Sequence, residues 1–104
     1  METNISEKEG FKILSIKGRL DTIASTDFET TLQQFIAVPN LKLKIDMTEL
    51  TYISSSGLRC FVMLLKDMKV HNGTLILSGL THEINEIFDM TGFSDLFNIE
   101  KTNK

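Results

Sequence analysis

Leu41-Lys42-Leu43-Lys44-Ile45-Asp46-Met47 and, a few residues on, Thr51-Tyr52-Ile53-Ser54-Ser55-Ser56-Gly57-Leu58-Arg59 are the stretches that decide the fold. The first alternates apolar and charged residues without a fault, the period of a strand with one dry face and one wet face. The second ends in three hydroxyls and a glycine. From there Leu58, Phe61, Val62, Leu65 and Met68 recur at helical spacing up to His71-Asn72-Gly73. The spacing predicts a helix of about four turns that starts at the serines.

Working outward, Phe11-Lys12-Ile13-Leu14-Ser15-Ile16-Lys17, closed by Gly18, reads as a strand. The segment around Ile5 is expected to pair with it through a hairpin at Glu9-Gly10. Phe28, Leu32, Phe35 and Ile36 mark a helix that ends at Val38-Pro39-Asn40, and Thr26 with Glu29 has the form of a capping box at its start. Thr74-Leu75-Ile76-Leu77-Ser78-Gly79 is a further strand. Ile84, Ile87 and Phe88 mark a short helix that stops near Gly92, Phe93–Ile99 is apolar enough to dock, and Lys101–Lys104 should fray. Strands separated by helices need crossovers, hence parallel pairing among the later strands. The expected fold is an α/β sandwich, a mixed sheet of four to five strands. Because Lys42, Lys44 and Asp46 occupy the second face of their strand, the helices should lie mainly on the other side.

Composition narrows the function classes. The chain has 104 residues, which is room for a single domain spanning 1–104. Fourteen acidic against 11 basic residues give a net charge of −3, which argues against direct nucleic-acid binding. A lone Cys60 excludes an internal disulfide, so a reducing compartment fits. The N-terminus has no basic start followed by an apolar core, and no window is apolar enough to insert in a membrane. We expect a cytoplasmic protein. His71 and His82 with one thiol make no metal-ligand spacing, and neither metal nor cofactor is expected.

The stretch from Asp46 to Arg59 sets a carboxylate near a strand end and three hydroxyls at a helix start. A helix N-terminus has four unpaired N–H groups and about half a positive charge, so it accepts an anion such as phosphate with little rearrangement. One serine also makes an ordinary N-cap, and that reading stands beside the first. Asp21 and Asp46, both read as lying where loops follow strands, are expected to converge on the helix start; turns and strand ends also suit Asp. On the helix itself, Arg59, Met63, Lys66, Asp67 and Val70 fall opposite the core stripe, and Arg59, Met63 and Lys66 form a candidate contact face.

Taken together, these motifs resemble the STAS domain family, and within it the stand-alone anti-sigma factor antagonists of bacteria. Gly18-Arg19-Leu20-Asp21 with Ala24, Ile45-Asp46-Met47-Thr48, Tyr52–Leu58, Gly73–Gly79 and Met90–Phe97 are similar, in order, to the family's segments over nearly the whole chain. The resemblance implies partner switching. The unphosphorylated antagonist binds an anti-sigma factor that is also a serine kinase, phosphorylation releases it, and a metal-dependent Ser/Thr phosphatase resets the cycle. The family's acceptor serine stands two positions before the glycine, which is Ser55 here; Ser54, where many members carry Asp, and Ser56 remain substitutes. Asp21, Asp46, Ser54, Ser56 and Gly57 would surround the acceptor.

Two other function classes fit the sequence less well. A serine hydrolase is disfavoured, since no G-x-S-x-G elbow surrounds the serines and no spacing brings His71 or His82 near them. A phosphorylation-independent STAS subunit, scaffolding a lipid-transport ABC ATPase complex, would keep Ser55 only as a cap. The isolated domain has no P-loop for nucleotide.

Overall fold

The computed structural model describes residues 1–100, so the expected fraying of Lys101–Lys104 lies outside the described residues. Ten elements follow in order: β1 (Glu2–Lys8), β2 (Phe11–Leu20), α1 (Thr22–Leu32), a 3-10 turn (Gln33–Phe35), β3 (Lys42–Ile53), α2 (Ser55–Val70), β4 (Thr74–Ser78), α3 (His82–Met90), α4 (Phe93–Leu96) and β5 (Asn98–Glu100). The strands form one sheet in the order β1-β2-β3-β4-β5, antiparallel between β1 and β2 and parallel thereafter. The hairpin at Glu9-Gly10 and the mixed five-stranded sheet match the reading of the sequence.

Leu14, Ile16, Leu43, Ile45, Met47, Leu75 and Leu77 point from one sheet face into the core, where α1, α2 and α3 cover them. Phe61 of α2 sits at the centre, with ring centroids 5.4 Å from Phe28 and 6.3 Å from Phe88, tilted or edge-on as aromatic quadrupoles prefer. The opposite face keeps Lys42 and Lys44, both near the Phe11 ring, with Lys44 paired to Glu100 at 3.2 Å.

Three boundaries depart from the sequence reading. α1 begins at Thr22, not Thr26: Asp21 takes the extended N-cap conformation and its Oδ1 accepts the Ala24 N–H at 2.8 Å, so the Thr26–Glu29 pair lies inside the helix. β2 continues through Gly18 to Leu20. β3 continues past Met47 to Ile53, because two register shifts against β2 change the interval between inward residues from two to three at Leu50 and Ile53. On α2, Leu64 and Cys60 join the core, while Leu58, Val62 and Leu65 flank it. α2 packs against both the sheet and its neighbour α1, so its buried arc centres on the line Phe61–Leu64–Met68.

Candidate functional site

β2 and β3 end together. Leu20 and Ile53 are opposite each other in the ladder, and the Ser54 N–H donates to the Leu20 carbonyl at 2.8 Å, so α1 and α2 start side by side. α2 approaches closely because of Gly57: a Cβ there would lie 2.8 Å from Leu20 Cγ and 3.1 Å from Ile53 Cγ1. A bare glycine therefore lets the helix N-terminus rest on the two strand ends, which gives the Ser-Ser-Ser-Gly spacing a packing reason.

The three serines have different fates. Ser54 is 8% exposed and caps α2, its Oγ accepting the Gly57 N–H at 3.1 Å. Ser55, the first helical residue, is exposed. Ser56 is half-buried and lines a cleft of about 130 Å³ between α1 and α2, with Thr26, Glu29, Arg59, Cys60 and Met63. The hydroxyl at 54 is thus occupied, the one at 55 is open to solvent, and the one at 56 is screened by α1.

Asp21 lies beside this cluster, as expected, and serves as the cap of α1. Asp46 does not reach it. β3 runs on beyond Asp46, which pairs in register with Ser15, whereas Ile53 pairs with Leu20; at about 3.3 Å per residue the five intervening steps of β2 separate them by roughly 16 Å. The Asp46 carboxylate accepts the Thr48 N–H at 3.0 Å and the Thr48 hydroxyl at 2.5 Å, holding the first irregularity of β3. Gly79, with φ +70°, passes close against Thr48, where a Cβ would collide with its hydroxyl. Asp46 is therefore a structural residue of the strand.

Arg59, Met63 and Lys66 are exposed and fall on one outer stripe of α2, with Met63 at 42% exposure. Cys60 faces the other way, into the α1–α2 contact, with Sγ 3.7 Å from the Ser25 carbonyl. Burial pushes its thiol pKa up, Glu29 adds to the rise and Arg59 opposes it. It is an inert core thiol at neutral pH. Sequence reasoning missed the role of Asp21 as a cap, and it missed a stacked pair, Arg19 over Tyr52, at the same end of the sheet. Their signal was the parallel register, invisible until Leu20 and Ile53 are aligned. A groove of about 680 Å³ lies apart from the serines, between α3 and β5, lined by Leu80, Asn85, Asp89 and Glu100 among others. Among the described residues no cluster of His, Cys, Asp and Glu side chains could hold a metal ion, and no helix is long and apolar enough to cross a membrane.

A mixed five-stranded sheet with helices on one face and a serine-rich helix start on the strand ends defines a STAS domain, and residues 2–104 match that family's model: the chain belongs to the STAS domain family. Its relatives sharpen the class. The chain is 29% identical over 85 residues to the anti-sigma-B factor antagonist of Listeria monocytogenes, covering 82% of this chain and 75% of that one. Among solved structures, an anti-sigma factor antagonist from Mycobacterium paratuberculosis superposes with a TM-score of 0.85 at 18% identity, covering 97% and 86% of the two chains. The anti-sigma factor antagonist SpoIIAA in its unphosphorylated form gives 0.79 at 15% identity over 99% and 90%, and the Bacillus cell fate determinant SpoIIAA in its phosphorylated form gives 0.73 at 15% over 99% and 93%. These structures share the fold, and the chain stands among relatives named as anti-sigma factor antagonists.

Proposed function

We propose that this chain is an anti-sigma factor antagonist that binds an anti-sigma factor serine kinase in the cytoplasm while unphosphorylated, and that phosphorylation of Ser55 releases it. The observation that carries the assignment is the division of labour among the serines: Ser54 is buried in its cap, Ser56 is screened by α1, and Ser55 alone is exposed. Arg59, Met63 and Lys66 supply the partner contact along α2.

Phosphate at Ser55 adds about −1.5 to −2 charges at the first position of a helix, where the dipole stabilises an anion by about 0.3–1 kcal/mol. The domain should stay folded. The switch acts at the interface, where a dianion pressed against a nucleotide-bearing kinase site meets like charge and loses its hydration. A penalty of about 3 kcal/mol weakens binding more than 100-fold, enough to exchange partners. A metal-dependent phosphatase then restores the hydroxyl, which exposure of Ser55 permits.

The test is phosphate transfer from labelled ATP onto the purified protein in lysate of the source organism, with the site read by mass spectrometry. Wild type should be labelled at Ser55, Ser55→Ala should not, and Ser54→Ala and Ser56→Ala should keep the label. Label confined to Ser54 or Ser56 would refute the assignment. No label on the folded protein in an active lysate would favour a constitutive scaffold, in which Ser55 is only part of the helix start and α2 docks on a transport ATPase.

A further inference from the structure

The end of the sheet holds an arranged pair that neither the serines nor α2 use. Arg19 and Tyr52 face each other across the β2–β3 ladder, each one residue before a buried anchor, Leu20 and Ile53. Side chains alternate along a strand, so both project from the sheet face opposite the helices. The Arg19 guanidinium carbon lies 4.3 Å from the centre of the Tyr52 ring, which is 38% exposed. Lys12, Lys17 and Lys44 on the same sheet have carboxylates within ion-pair distance, but among the described residues Arg19 has none. Thr51 donates to the Gly18 carbonyl at 3.0 Å and ties the two strands together just before the pair.

An exposed arginine ordinarily samples many rotamers. Stacked on a ring, Arg19 keeps its fork of N–H donors in one plane, ready for a carboxylate. Arg and Tyr dominate the energetics of protein interfaces, and side chains already ordered before binding lose little entropy on docking. Tyr52 is three residues before Ser55 in the chain. A stable protein interface covers about 800 Å² on each partner, so a partner seated over Ser55 spans the end of the molecule on both sides of it.

We infer that the Arg19–Tyr52 stack is a second anchor for the anti-sigma kinase, engaging a carboxylate and an apolar or aromatic side chain of that partner. The inference rests on the kinase-binding reading of Ser55. The kinase footprint then straddles the strand ends, with the α2 stripe on one flank and the stack on the other, and the acceptor hydroxyl lies inside it rather than at its rim.

The experiment measures the affinity of the purified kinase that labels Ser55 for wild type, Arg19→Ala, Arg19→Lys, Tyr52→Ala, Tyr52→Phe and Met63→Asp, with thermal melting as a check on folding. Arg19→Ala and Tyr52→Ala should each weaken binding by about tenfold or more without a matching loss of melting temperature. A further variant combining Arg19→Ala with Tyr52→Ala should lose little beyond the worse single one, because the two act as a unit. Tyr52→Phe should retain most of the affinity, and Arg19→Lys should recover only part of it. If both stack variants bind within twofold of wild type while Met63→Asp binds poorly, the stack is outside the footprint and the inference fails, with the kinase reading intact. If no kinase labels Ser55, or Met63→Asp and the stack variants alike leave binding unchanged, the underlying reading fails and the inference with it.

Discussion

Two junctions stand side by side at the end of the sheet, β2 into α1 through Asp21-Thr22 and β3 into α2 through Ser54-Ser55, and their local geometry is nearly the same. Each has an extended N-cap whose side chain accepts the N–H three residues on, and each presents an exposed hydroxyl at the first helical position. They differ in what surrounds that hydroxyl. The exposed side of α1 carries Asp27 and Glu29 and no Lys or Arg, whereas α2 carries Arg59, Lys66 and Lys69 against the single Asp67. On the proposed reading, a kinase carrying a polyanionic nucleotide would be repelled at the α1 junction and attracted at the α2 junction. Capping geometry builds both platforms alike, and the charge beyond the cap sets them apart.

Perturbing each junction separates platform from use. Gly57→Ala should have the largest effect on folding, about 2 kcal/mol of lost stability in urea unfolding, because its Cβ must push Leu20 or lift α2 off the strand ends. The equivalent position of α1, three residues after its cap, is Ala24, which already carries that methyl, so the α2 junction is the more tightly packed of the two. Removing the caps should cost less: about 1.5 kcal/mol for Ser54→Ala, which strips a buried N–H of its partner, and about 1 kcal/mol for the partly exposed Asp21→Ala. Equal losses at the two caps would show that burial does not distinguish the junctions.

The smallest effect concerns Cys60, where α1 and α2 touch. Its thiol pKa is raised in the fold above the ordinary 9.0, chiefly by burial. The sign is fixed by linkage: the contribution is constant below about pH 9 and stability falls as pH rises beyond it, because the unfolded chain then ionises more readily than the folded one. Cys60→Ala should remove that alkaline slope, and native Cys60 should react with a thiol reagent at pH 8 far more slowly than the unfolded chain.

Most of the architecture was legible because strict alternation in Leu41–Met47 and helical spacing after Leu58 are long, unambiguous signals. The misread boundaries have physical causes. β3 hides its second half because two register shifts break the alternation at Thr48 and again before Tyr52, so Leu50 and Ile53 look like loop residues. α1 hides its start because Thr26 and Glu29 imitate a capping box four residues inside the helix, while the true cap, Asp21, is followed by residues with little apolar periodicity. Asp46 falls near the helix start only if the strand ends at Met47, and it continues to Ile53. The serine cluster could be located from sequence, but which hydroxyl is open depends on Gly57 and on the cover that α1 gives Ser56, both tertiary facts.

The most direct measurement is the affinity of the cognate kinase for the unphosphorylated protein and for the same protein stoichiometrically phosphorylated at Ser55, both shown to be folded. Partner switching predicts a loss of more than 100-fold on phosphorylation with an unchanged unfolding midpoint. Affinities within twofold of each other, or a phosphoprotein that has lost its fold, would contradict it.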